Sequence, residues 1–326
     1  MRAVPQVQVN QLSLEYDSRG NRRDPAVLLI MGLGSQLVLW PDALCDALAR
    51  AGYYVIRFDN RDVGLSSKLE HAGTPNLLLT AARARLGLAQ QVPYRLDDMA
   101  RDAVGLLAAL DIEKAHIVGA SMGGMIAQII AAKYAHRALS LTSIMSTSGA
   151  AHLPGPSLAL KLRMLRRRPQ TRAAAIRFGV DFWRQVGSPG FPQSEAVLRQ
   201  RVAGQFDRGV CSSGLARQLA AILADGSRSK LLRKVRLPTL VLHGAADPLI
   251  PAQAAWDLAS SIRGAQCEVI AGMGHDLPPQ LLPYFAQRLS AHFAGGGDVE
   301  LSAPAAVVRR PAASGRPSDQ GILAQR

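Results

Sequence analysis

Cysteine is scarce in this chain of 326 residues: Cys45, Cys211 and Cys267 are far apart and odd in number. That excludes a disulfide framework, and with no C-x-x-C spacing it excludes a thiolate zinc site. Reduced thiols and a cytoplasmic location are expected. Long apolar runs are also missing. No stretch approaches the roughly 18 residues that a membrane span needs, and Met1 to Gln6 contain no apolar leader core. No membrane partner is expected. Aromatic residues make up only 5%, and acidic residues are outnumbered 24 to 38 by Lys and Arg, for a net charge of +14. A nucleic-acid binder of that charge gathers its arginines into one stripe among aromatics. Here they spread over surface helices, the middle of the chain and the tail, so no specific nucleic acid is expected.

What the chain does have is core. Hydrophobic residues reach 48% and charged residues only 19%, the balance of a soluble globular protein. Ala26 to Met31 is a continuous apolar run, the mark of a strand buried on both faces. Tyr53 to Asp59, residues 115–119, Leu139 to Met145, Pro238 to Gly244 and Gln266 to Ile270 read as further strands. Helical spacing runs over Pro41 to Gly52 and over about 97–111, 252–263 and 277–294. The stretch from 150 to 235 is helical and arginine-rich and holds no strand-like run. Strands and helices that alternate on both sides of one insert predict an α/β fold with a doubly wound, mostly parallel sheet. Its core is residues 1–149 and 236–294, and 150–235 is a helical insertion above the sheet's C-terminal edge. Residues 295–326 are rich in Gly, Ala, Pro, Ser and Arg without periodicity, and are expected to form a disordered basic tail.

The chemistry centres on His116-Ile117-Val118-Gly119-Ala120-Ser121-Met122-Gly123-Gly124, a strand that runs into G-x-S-x-G and then a helix. Such a turn strains the serine backbone and exposes its hydroxyl at a helix N-terminus. A serine needs a base to take its proton. Of seven histidines, His275 sits in Gly272-Met273-Gly274-His275-Asp276, between a strand and the last helix, where a loop reaches the sheet's C-terminal edge. His116 reads as a core histidine, and His136, His152 and His292 as surface ones. The acid that orients the base is Asp247, just after a strand in His243-Gly244-Ala245-Ala246-Asp247-Pro248. Asp276 is His275's neighbour, and neighbours rarely align for that bond. The order Ser121, Asp247, His275 suits this architecture. An oxyanion hole needs two backbone donors. Met122 N–H is one, and Leu33 N–H, between Gly32 and Gly34, is the other.

These motifs together resemble the α/β-hydrolase superfamily over about residues 1–294. They are the elbow GASMGG, the acid loop HGAADPLIP, the histidine loop GMGHDLP and the segment FDNRDVGLSS. With MGLG and ARQLAAI (Ala216 to Ile222), they are similar to the aclacinomycin methylesterase-like branch. Where the family commonly has His-Gly before the oxyanion residue, this chain has Met31-Gly32. The backbone donor survives that change, but a side chain that often braces the loop is lost. The resemblance gives Asp59 and Arg61 a role in structuring the neighbouring loop. It also makes the insert the family's cap, a part that varies widely.

The expected function is hydrolysis of a carboxylic ester through an acyl-serine intermediate, with no metal or organic cofactor. The partner is a small ester-like molecule, met by a monomer or a homodimer. Candidate pocket residues are Phe178, Phe182, Trp183, Phe191 and Phe206 of the cap, with Trp40 below, against the plainer reading that most of them form the cap's own core. Arg166-Arg167-Arg168 could attract an acidic substrate, against the plainer reading of a solvated helix face. The same triad serves lactone, thioester and C–C (diketone) hydrolysis or perhydrolysis. A hydrolase fold kept as a ligand receptor is the non-enzymatic reading; its affinity would survive loss of Ser121.

Overall fold

The structure, a computed structural model, describes residues 5–164, 166, 169–296 and 306–310. The strands are β1 (Gln6–Val9), β2 (Leu12–Arg19), β3 (Ala26–Ile30), β4 (Tyr54–Phe58), β5 (Ala115–Ala120), β6 (Ala138–Ile144), β7 (Thr239–Gly244), β8 (Gln266–Ile270) and β9 (Val307–Arg310). They form one sheet in the order β1-β2-β4-β3-β5-β6-β7-β8-β9. Pairing is parallel from β4 through β8 and antiparallel at the two edges.

The helices are α1 (Asp42–Arg50), α2 (Leu77–Arg85), α3 (Leu96–Ala109), α4 (Met122–Lys133), α5 (Leu158–Met164), α6 (Arg172–Val186), α7 (Glu195–Arg208), α8 (Ser212–Asp225), α9 (Ser229–Leu232), α10 (Gln253–Ser261) and α11 (Leu282–Phe293). Helices cover both faces of the sheet, so the central strands are apolar throughout rather than alternating. In β3 every residue is buried. Leu28 and Ile30 join the core under α3, α4 and α10, while Val27 and Leu29 join the core under α1 and α11. α4 is buried on nearly every side, as a helix apolar all round must be.

Helices α5 to α9 all lie between β6 and β7. α6 and α7 pack on each other around a small core of Ile176, Val180 and Leu198. Ion pairs tie this layer to β2 and to the loop after β4. Arg217 of α8 meets Asp62 at 2.7 Å with both side chains fully buried, and Arg208 of α7 meets Glu15 at 2.6 Å.

One expectation is overturned. Part of the tail is a strand: β9 pairs antiparallel with β8, Val307 opposite Ile270 and Arg309 opposite Glu268. The physical reason is an open sheet edge with a buried acid behind it. Val307 packs on the core, Val308 is exposed, and Arg309 reaches Glu268 at 3.4 Å. Four residues of period-two pattern are too few to stand out in a Gly-, Ala- and Pro-rich tail. Residues 297–305 and 311–326 lie outside the described residues. A chain ended at Gly296 is expected to melt a few degrees lower, because β8 loses its edge partner, while activity stays near that of the full chain. An unchanged melting temperature would mean β9 adds no stability.

Candidate active site

Three strand ends bring the chemistry together at the C-terminal edge of the parallel strands. Ser121 follows β5, Asp247 follows β7 and His275 follows β8. Ser121 has φ 56° and ψ −120°, a region a side chain enters only when its surroundings enforce it. The enforcement is visible. Ser121 N–H donates to Ile144 O at 2.9 Å, and Ser146 Oγ donates to Ser121 O at 2.7 Å. A Cβ on Gly123 would stand 1.9 Å from Ile30 O, and one on Gly119 2.1 Å from Gly123 O. Strand and helix can approach this closely only with glycine at both positions.

His275 Nε2 lies 3.0 Å from Ser121 Oγ, and its Nδ1 lies 2.6 Å from Asp247 Oδ2. A proton on Nδ1, donated to the carboxylate, leaves the Nε2 lone pair free to accept from the serine hydroxyl. Asp247 is fixed from its other side: its Oδ1 accepts from the N–H groups of Leu249 and Ile250, each at 2.9 Å. Its side chain is fully buried, as is that of His243 at 3.5 Å. Burial holds the His243 imidazole below its usual pKa, so it stays neutral behind the acid, with Nε2–H donating to Ile250 O at 2.7 Å.

The loop carrying Leu33 lies against the nucleophile. A Cβ on Gly32 would come within 3.0 Å of Ser121 Cβ. Among the described residues, neither Leu33 N–H nor Met122 N–H has a protein acceptor. The histidine missing at Met31 is replaced by other braces. Asn60 Nδ2 donates to Met31 O at 3.0 Å, and Gly34 N–H donates to Gln218 Oε1 at 2.8 Å. Gln218 is fully buried, and its amide also donates to Arg61 O at 2.8 Å. Sequence reasoning missed both residues, although Asn60 lies in FDNRDVGLSS and Gln218 in ARQLAAI. If Leu33 N–H is an oxyanion donor, replacing Gln218 with leucine is expected to lower kcat about tenfold with a smaller change in KM, because it frees the loop that carries that donor. Equal changes in kcat/KM and KM at constant kcat would show that it only shapes binding.

The histidine loop is also gripped by the insert. His275 N–H donates to Val186 O at 2.7 Å, and Gly274 N–H donates to Ser188 Oγ at 2.9 Å. The same Ser188 hydroxyl donates to Asp276, which also accepts from Gln193 Nε2 at 2.7 Å. Asp276 therefore turns away from His275 and serves the clasp. Burial pushes its carboxyl pKa up, and Ser188, Arg201 and Gln193 counter that rise.

Other expected residues fall elsewhere. Trp40, expected beneath the cap, is fully buried in the core instead: it is 0% solvent-accessible and belongs to the cluster of Met31, Leu44 and Leu48. The reason is its position just before α1, whose apolar face it extends. Trp183 is half-buried and packs on the small core between α6 and α7, with Arg201 over its ring. Phe178 is half-buried beneath the guanidinium of Arg163, Phe182 is half-buried edge-on to Trp183, and Phe206 is half-buried. Phe191 belongs to the main core. Arg167 and Arg168 lie outside the described residues. His292, expected on the surface, is buried against the sheet, Nε2 meeting Leu141 O at 3.2 Å; its pKa is pushed down to about 4 by burial. His116 is a core histidine stacked on Phe293.

Over residues 25–279 the chain matches the family model of the alpha/beta hydrolase fold. Rhodomycin D methylesterase DnrP of Streptomyces peucetius is 29% identical over 311 residues, spanning 87% of this chain and 95% of that protein. The 3-oxoadipate enol-lactonase 2 of Acinetobacter baylyi is 27% identical over 238 residues, 73% of this chain and 77% of its own. Among solved structures, the enol-lactonase from Burkholderia xenovorans LB400 superposes with a TM-score of 0.68 at 21% identity, covering 89% of this chain and 100% of its own. That likeness speaks to the fold. No helix among the described residues is long and apolar enough to cross a membrane.

Proposed function

This chain belongs to the α/β-hydrolase fold family, and we propose that it is a serine hydrolase that cleaves a carboxylic ester of a small molecule through an acyl-serine at Ser121. The observation that carries this reading is the unbroken line Asp247–His275–Ser121, at 2.6 Å and 3.0 Å, on a turn that forces the serine into strain. The likeness to methylesterases points to esters rather than amides.

The steps follow from the geometry. Ser121 Oγ attacks the ester carbonyl as His275 Nε2 takes its proton. The carbonyl oxygen becomes an oxyanion, held by the N–H groups of Leu33 and Met122. His275, now charged and stabilised by Asp247, gives the proton to the leaving alkoxide, and the alcohol departs. Water then attacks the acyl-serine, His275 again acting as base, and the acid is released. The insert acts as the cap, and Phe178 and Phe182 remain its candidate pocket residues. The enzyme works in the cytoplasm, as a monomer or homodimer, and needs no nucleic acid.

A lactone is the second reading, favoured by the enol-lactonase relative. The steps are the same, except that the alcohol stays tethered to the acyl group. Initial rates on p-nitrophenyl esters from acetate to long acyl chains, beside a panel of lactones, separate the two. Ester turnover with a chain-length optimum is expected. Turnover of lactones alone would replace the ester reading, and turnover of neither would remove both.

A further inference from the structure

Seven large hydrophobic side chains among the described residues are more than half exposed, and four of them fall within eleven residues: Leu78 at 77%, Leu79 at 55%, Leu86 at 72% and Leu88 at 51%. They lie on α2 and the turn that follows it. Single exposed leucines are ordinary, but a cluster this dense marks a surface that meets something apolar. Ala81, Ala82 and Ala89 are exposed beside them, while Thr80 is the one fully buried residue of the helix. α2 rests on α8 and turns its leucines outward.

Within the segment that carries this patch the charge has one sign, between Glu70 before it and Asp97 after it. From His71 to Leu96 the sequence holds no Asp or Glu, and it holds Arg83, Arg85 and Arg95. Arg83 folds back to donate to Ala89 O, closing the end of the helix, and Arg85 is exposed. A second copy of this chain would bring +14 against +14. A neutral apolar partner would leave Arg85 unused, since Arg83 and Arg95 already donate to backbone carbonyls. An anionic bilayer surface uses both features: leucines enter the boundary between headgroups and acyl chains, and arginines meet phosphates.

We propose that α2 docks this protein on an anionic lipid surface, lying in the interface without crossing it. α2 sits on the same α8 whose Gln218 holds the oxyanion loop. Docking therefore brings the helix that braces the oxyanion loop close to the lipid, the phase in which an apolar ester collects. The inference does not depend on the chemistry assigned to Ser121, so its test does not read turnover.

The test is sedimentation of the full chain with extruded phosphatidylcholine vesicles, with and without about a third phosphatidylglycerol. Three proteins are compared: the wild type, Leu78→Asp/Leu86→Asp, and Ala43→Asp/Arg50→Gln. The last makes the same change of net charge on the exposed face of α1. Melting temperatures report folding, and light scattering reports mass. The wild type is expected to sediment with the anionic vesicles, less so at high salt. The α2 variant is expected to bind at least about tenfold more weakly, and the α1 variant within about twofold of the wild type. Three results would each overturn the proposal: no preference for anionic vesicles, equal binding by the α2 variant, or a wild-type dimer that the α2 substitutions dissociate. The last would make the patch an interface between copies.

Discussion

Ser121→Ala is expected to lower ester turnover by about ten-thousandfold or more, with the melting temperature nearly unchanged. Alanine keeps the Cβ, so the crowded turn beneath it still closes. What goes is the only atom that can carry the acyl group. Removing a triad serine leaves the modest rate that an oxyanion hole and binding supply alone. Asp247→Asn is expected to cost about a thousand- to ten-thousandfold, because an amide facing Nδ1 no longer imposes the tautomer that puts the Nε2 lone pair on Ser121. The two losses should not add, since serine and acid act through one histidine. Rates of the double variant check this. A double variant slower than Ser121→Ala by the full Asp247→Asn factor would mean that Asp247 acts elsewhere.

The second large effect concerns stability, at the junction of α8 with the sheet. Arg217 makes a two-pronged contact with Asp62, Nε to Oδ2 at 2.8 Å and Nη2 to Oδ1 at 2.7 Å. Tyr94 Oη donates to the same carboxylate at 2.8 Å. Arg217→Met keeps most of the volume but strands a buried negative charge, and is expected to cost about 3–5 kcal/mol in urea unfolding. Adding Asp62→Asn should return much of that loss. Asparagine tolerates the φ of 69° at this position and removes the stranded charge. A cost below about 1 kcal/mol for Arg217→Met would show that the pair is not a structural anchor. Acidity gives a further check. Burial alone would raise the pKa of Asp62, but its hydrogen bonds to Arg217, Leu69 N–H and Tyr94 outweigh that and lower it. A carboxylate with a lowered folded pKa stabilises fully above its unfolded value, near 4, and loses that contribution as the pH falls through the folded one. The advantage of the wild type over Arg217→Met/Asp62→Asn should therefore shrink below about pH 4.

Much of this was legible in the sequence, because the informative parts are local. Ala26 to Ile30 must be a central strand, since no other element buries five apolar residues in a row on both faces. Ser121, His275 and Asp247 each sit in a short loop just past a strand, and strand ends meet at one edge. The same local reading put the Gly32 loop near Ser121, where a Cβ on Gly32 would come within 3.0 Å of Ser121 Cβ. What escaped it depends on contacts between distant residues. Gln218 reads as one polar residue in an amphipathic helix, and only the fold brings it to Gly34, 184 positions away. Asp276 looked like a spare acid until Ser188 and Gln193 came to it from the insert. Trp40 was misread because an aromatic near a cleft and an aromatic in a core look alike until the packing is known. β9 was too short, and its surroundings too rich in Gly, Ala and Pro, for a strand pattern to emerge.

The most direct test of the account is to look for the covalent intermediate. The protein is mixed with a p-nitrophenyl ester, quenched in acid within the first turnovers, and its intact mass and peptides are measured. The account predicts one added acyl group, on the peptide that holds Ser121, accumulating further in His275→Gln if the second step is slowed more than the first, and absent from Ser121→Ala. An acyl group on another residue, or full turnover by Ser121→Ala, would contradict it.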